Sequence, residues 1–246
     1  MTDPSFRAVL YDFDGTLADS TELILRCYRH TMRIHLGHVP DEADWLSGFG
    51  KPLEGQIGRF ARTPEEATRM LRSYRDYQNA HHDEALRPFP AVCEVVGRLA
   101  ERGVRLAIVT SKHRETALRG LQCCGLSGHF PVVIAPEDVV HPKPHPESVR
   151  KALDALGVAP SEALFVGDSP FDVLAGKAAG VSTAAALWGP FPEEALRAAG
   201  PDYLLETQAA VLALVGGQAS APVRRLRGLR EGSGSTTRVG SEGTGR

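Results

Sequence analysis

Five short runs in this chain are apolar on consecutive positions rather than alternate ones: Ala8-Val9-Leu10-Tyr11, Val104 to Val109, Val132-Val133-Ile134, Ala163-Leu164-Phe165-Val166 and Thr183 to Leu187. A strand with that pattern has no face to offer to water and must be covered on both sides. Helical stretches separate most of the runs, and the alternation predicts a parallel sheet of the α/β class. Capping chemistry marks the helix starts. Asp19 with Glu22, Thr63 with Glu66 and Ser169 with Asp172 have capping-box spacing. Pro64, Pro170 and Pro146 stand at first-turn positions, where a missing N–H costs nothing.

Two intervals break the alternation. Residues 19–86 contain no strand signal, while Leu23, Cys27, Ile34 with Ile24, Tyr28, and later Ala67, Met70, Leu71, Tyr74, recur at helical spacings. They predict a helical insertion after the first strand. From Gly216 the chain turns Gly/Ser/Arg-rich and buries too little apolar area to offset its ordering entropy, so residues 216–246 are expected to form a disordered tail. Its arginines, Arg224 to Arg246, are too sparse to make a nucleic-acid footprint.

A formal charge of −2 over 246 residues gives no global basic field, so neither nucleic acid nor an anionic membrane is implied as partner. No apolar run approaches the roughly 18 residues of a membrane span, and the first residues lack the basic and apolar regions of a signal peptide. The expectation is a cytoplasmic monomer or homodimer acting on a small molecule. Four cysteines, Cys27, Cys93, Cys123 and Cys124, form no Cys-x-x-Cys pair or zinc-type cluster and read as reduced, mostly buried thiols.

The chemistry gathers where strands end. Asp12-Phe13-Asp14-Gly15-Thr16 follows the first apolar run, at the carboxyl edge where open α/β sheets keep their ligands. Asp12 and Asp14, two apart, start on one face of the strand. The second run ends in Thr110-Ser111-Lys112, a hydroxyl and free N–H groups at a helix start. Lys143 lies between prolines in His141-Pro142-Lys143-Pro144-His145-Pro146, whose restricted backbone favours an extended path into a cleft. Gly167-Asp168-Ser169-Pro170-Phe171-Asp172 closes a further run with more acids, Asp172 also being the capping-box partner of Ser169. Each piece alone has a bland alternative as turn, cap or solvated charge.

In this order, and all at strand ends, the motifs resemble the four-part signature of the haloacid dehalogenase superfamily over residues 8 to 205. The resemblance implies a Rossmann-like parallel core, residues 1–18 and 87–215, with residues 19–86 inserted as a helical cap. It further implies Asp12 as nucleophile, Asp14 as general acid and base, Thr110 as phosphoryl ligand and Lys143 as charge neutraliser. A magnesium ion would be held by Asp12, the main-chain carbonyl of Asp14 and Asp168, with Asp172 as a further acid of the metal site. Carboxylates about 5 Å apart repel by roughly 3 kcal/mol at an effective dielectric near 20, so a cation and Lys143 must neutralise the site before a phosphate can enter. Oxygen ligation without thiols suits magnesium.

Ser111, and Lys51 in the turn Ser47-Gly48-Phe49-Gly50-Lys51, are candidate substrate contacts, with Arg59 and the His81-His82 pair as other cap-side groups. Ser73 to Tyr77 with His81 to Glu84, and Trp188-Gly189-Pro190, resemble segments of the phosphoglycolate phosphatase-like enzymes, the former those of their pyrophosphatase branch. The implied activity is hydrolysis of a small phosphate ester, phosphoglycolate first and inorganic pyrophosphate as alternative. A sugar phosphomutase would use the same site, but no feature here demands one. A dehalogenase would need no acid at Asp14.

Overall fold

The computed structural model describes residues 6–216 and 223–226. The elements run β1 (Ala8–Tyr11), β2 (Ala18–Asp19), α1 (Thr21–Leu36), α2 (Glu42–Leu46), α3 (Leu53–Gly58), α4 (Pro64–Ala85) and β3 (Arg87–Pro88). After them come α5 (Val92–Glu101), β4 (Arg105–Val109), α6 (Arg114–Cys123), β5 (Val132–Ile134), α7 (Glu147–Leu156), β6 (Ala163–Gly167) and α8 (Pro170–Ala179). The chain then adds β7 (Ser182–Ala186), α9 (Glu193–Ala199), β8 (Tyr203–Leu205), α10 (Ala209–Val215) and β9 (Val223–Arg225).

Seven strands form one sheet in the order β5-β4-β1-β6-β7-β8-β9, parallel except where β9 runs antiparallel to β8. The consecutive apolar runs are explained by the pleat. Val9 and Tyr11 enter one core layer with Val95, Leu99 and Val211, whereas Ala8 and Leu10 enter the opposite layer with Val149 and Leu153. Because β1 has β4 on one side and β6 on the other, the strand order reverses there, and a crevice opens beyond its carboxyl end.

Helices α1 to α4 are inserted between β2 and β3, which pair antiparallel through Ala18 with Pro88 and Asp19 with Arg87, so the chain leaves and re-enters the sheet unit side by side. This helical unit has its own core, with Trp45 stacked between Tyr28 and Tyr74 at centroid distances of 4.8 and 5.8 Å.

Several expectations are corrected. Asp19 does not cap α1: it lies in β2, and Ser20 takes the N-cap position without a side-chain bond. Thr63 and Ser169 do cap, each accepting the N–H three residues on. Pro146 stands one residue before α7 rather than in its first turn. Ile34 is 57% exposed, whereas Met32 of the same helix is fully buried. Only Cys27 and Cys124 of the four cysteines are buried.

The largest correction concerns the tail, where Val223–Arg225 extends the sheet inside the interval expected to be disordered. Arg224 pairs with Glu193 and Glu206, and Val223 and Leu226 pack against the core on either side. Arg224 donates to both oxygens of Glu193 at 2.8 Å, and Leu226 packs beside Leu196 and Leu204. Residues 217–222 and 227–246 lie outside the described residues.

Candidate active site

The carboxyl edge of the sheet collects Asp12 after β1, Thr110 after β4, Asp168 after β6 and Asp172 in the first turn of α8. Lys143 enters from the loop before α7 and is 3% exposed. Its ammonium donates to Asp172 Oδ1 at 2.6 Å and to the Val109 carbonyl at 3.1 Å, and stands 3.0 Å from Asp12 Oδ1. That last contact is an ion pair by distance but not by alignment, so Asp12 Oδ1 is buried without a hydrogen bond. Asp172 Oδ2 accepts from the N–H and hydroxyl of Ser169 at 3.0 and 2.5 Å. The capping box is therefore real, and it aims the other oxygen at Lys143.

Asp168 is fully buried. One oxygen accepts the Thr16 hydroxyl at 2.6 Å, and the other, Oδ2, has no partner. Two glycines make room for it. Gly15 has φ +79°, and a Cβ there would sit 2.4 Å from Asp168 Oδ2; a Cβ on Gly189 would sit 2.3 Å from the Asp168 Cβ. The Thr16 carbonyl is fixed in turn by Trp188 Nε1 at 3.0 Å and Gln208 Nε2 at 2.7 Å.

Asp12, Asp168 and Asp172 offer carboxylate oxygens all within 4.8 Å of one another. Burial pushes the Asp12 carboxyl up to about 7 against the pull of Lys143, with Asp172 adding to the rise. Burial, then Asp12 and Asp172, raises Asp168 well above the usual carboxylate range. Burial opposes the charge on Lys143, but Asp12 and Asp172 outweigh it and hold its pKa above the usual value. Three carboxylates against one ammonium leave two formal negative charges, and two buried carboxylate oxygens lack donors. A hard divalent cation fits that set by both charge and ligand type.

Above this floor lies a cavity of about 520 Å³ lined from both units, by Asp12, Asp14, Thr110 and Lys112 below and by Trp45, Lys51, Tyr74 and Arg75 from the helices. Asp14 lines it with its carboxylate held by Lys112 Nζ at 3.0 and 3.1 Å. Its side chain stands apart from the three-carboxylate group. Thr110 Oγ1 accepts the Lys112 N–H at 3.1 Å, which makes a local turn at the rim.

Ser111 also lines the cavity, and its hydroxyl donates to the Gly50 carbonyl at 2.6 Å, bridging the two units. Lys51 lines the cavity with its ammonium 4.7 Å from the Phe171 ring centroid. Arg59 is not part of the lining, and its guanidinium bonds to Ser47 at 3.3 Å. His81 is stacked on Tyr77, and fully buried His82 bonds to Asp83, which Arg119 of α6 holds at 2.8 Å. Asp83, held by His82 and Arg119, thus ties the end of α4 to α6, and neither histidine lines the cavity.

Sequence reasoning missed Lys112, Thr16 and Gln208 as supports, and Arg75 as a lining cation. Thr16 and Lys112 adjoin motif residues, so position was a usable signal. Gln208, 192 residues from Thr16, left none.

Residues 9–186 match the family model for haloacid dehalogenase-like hydrolases. The chain belongs to that family. A relative, the pyrophosphatase PpaX of Halalkalibacterium halodurans, is 40% identical over 208 residues, covering 85% of this chain and 96% of its own. Among solved structures, a haloacid dehalogenase-like family hydrolase from Streptococcus pneumoniae is 27% identical, with a TM-score of 0.74 over 85% of this chain and 98% of that one. A predicted phosphoglycolate phosphatase from Haemophilus somnus, at 22% identity, TM-score 0.79 and coverage of 85% and 98%, shares the haloacid dehalogenase-like fold.

Proposed function

We propose that the protein is a magnesium-dependent phosphohydrolase acting through an aspartyl phosphate on Asp12, with inorganic pyrophosphate as leading substrate and phosphoglycolate second. The observation that carries this reading is the buried group of Asp12, Asp168 and Asp172 around Lys143, with two carboxylate oxygens lacking donors. The order of substrates follows the 40% identical relative named a pyrophosphatase, and it reverses the order expected from sequence alone.

Asp12, Asp168 and the main-chain carbonyl of Asp14 would hold the ion, with Asp172 steering Lys143 from behind. When bound, the ion supplies positive charge to the phosphoryl oxygens. Asp12 attacks phosphorus as the bond to the leaving oxygen breaks, and Asp14 gives that oxygen its proton. A water molecule then attacks the aspartyl phosphate at phosphorus, Asp14 takes the water's proton, and the Asp12 carboxylate is regenerated. Thr110 and Lys143 stabilise charge on the transferred group, and Lys112 orients Asp14. Residues 19–86 act as a cap that covers the cavity and keeps stray water from the intermediate.

The test is phosphate release from pyrophosphate, phosphoglycolate and p-nitrophenyl phosphate with magnesium and with chelator. Turnover that chelator abolishes supports the reading. Absence of turnover on all three substrates contradicts it.

A further inference from the structure

An acidic leaving group needs a positive group on the cavity wall opposite Asp12, and the lining cations are not equally free to serve. Lys112 is bonded to Asp14. Arg119 pairs with Asp83 at 2.8 Å and bonds to the Asn79 carbonyl at 3.3 Å. The Lys51 ammonium stands 4.7 Å from the Phe171 ring centroid and has no hydrogen bond or ion pair among the described residues, so nothing holds it in one direction.

Arg75 is the lining cation that is anchored and yet keeps free donors. It projects from α4, lines the cavity, and its side chain is 41% exposed. Only its Nη2 is engaged: it pairs with Glu54 of α3 and contacts His113 Nε2 at 2.7 Å. Its Nε and Nη1 have no hydrogen-bond partner among the described residues. His113 belongs to the sheet unit and is fixed by Glu137 at 2.7 Å through Nδ1. His113 Nε2 also lies 2.8 Å from Glu54 Oε1, so Glu54 of α3 stands between Arg75 and His113 and joins them in one cluster. One end of the guanidinium is therefore anchored by Glu54, which also contacts His113 of the sheet unit, while its other N–H groups remain available.

We propose that Arg75 determines leaving-group specificity, by receiving the second anionic group of the substrate while Asp12 receives the phosphoryl group. The class selected is phosphoanhydrides and phosphate esters carrying a further acidic group, over esters of neutral alcohols. This rests on the hydrolase reading above and names the part of the site that sets its preference. Glu54 is a positioning residue: it touches Arg75, not the substrate. A guanidinium oriented in advance loses less freedom on binding than a free side chain.

The experiment compares kcat/KM for pyrophosphate and p-nitrophenyl phosphate in the intact chain and in Arg75→Ala and Arg75→Lys. The ratio of the two values should fall by about tenfold to a hundredfold in Arg75→Ala and recover in part in Arg75→Lys. An unchanged ratio overturns the proposal, whether both activities drop together or neither does. Calorimetric binding of methylenediphosphonate with magnesium reads the same contact without turnover. Weakening of about tenfold or more in Arg75→Ala supports the assignment even in a chain that turns over neither substrate, and equal affinity overturns it.

Discussion

Single atoms decide how this site works. In the proposed mechanism Asp12 is the nucleophile, so Asp12→Asn, nearly the same shape but unable to attack phosphorus, should lower turnover by about a thousandfold or more while circular dichroism stays native. Asp168 must keep one oxygen free, and Gly189 makes that possible. Gly189→Ala places a Cβ 2.3 Å from the Asp168 Cβ. We expect metal affinity, measured by calorimetry, to weaken by about tenfold to a hundredfold, the range typical of disturbing a group that positions a ligand. Unchanged affinity would show that Asp168 is not held by its neighbours.

At the scale of elements, β9 changes what a shortened chain should do. A chain ending at Gly216 loses the pairing with β8 and the Arg224–Glu193 contact, whereas one ending at Leu226 keeps both. The ion pair is too exposed to count for much, so the difference should be about 1 kcal/mol, or roughly 2–4 °C in Tm by scanning calorimetry. Equal Tm values would make β9 dispensable. The strands that were legible in the sequence, β1, β4, β5, β6 and β7, are runs of consecutive apolar residues, where composition alone speaks. β8 is buried too, but its Tyr-Leu-Leu run went unnoticed, and β9 reads Val-Arg-Arg, an edge strand specified by its partner rather than by its own pattern. The motif residues were legible because strand ends announce themselves; Arg75 was not, because an arginine on a long polar helix looks solvated until the cavity is seen beneath it.

At the scale of the molecule, the proposed function has protons and a cation compete for one buried charge cluster. Carboxyls whose folded pKa lies above the unfolded value bind protons more tightly in the native state, so without metal their contribution is present at low pH and is lost as pH rises from about 4 through the folded value of about 7 for Asp12. Magnesium should offset that loss, and the rise in Tm on adding it should be larger near pH 8 than near pH 5. The same rise at both pH values would place the ion elsewhere. Most direct of all is to catch the covalent step: an acid-quenched single turnover with pyrophosphate and magnesium, followed by mass spectrometry of the peptide carrying Asp12. The account predicts one added phosphoryl group on Asp12, absent in Asp12→Asn and absent with chelator. Phosphate release with no phosphoryl on that peptide at any quench time, together with full turnover in Asp12→Asn, would contradict it.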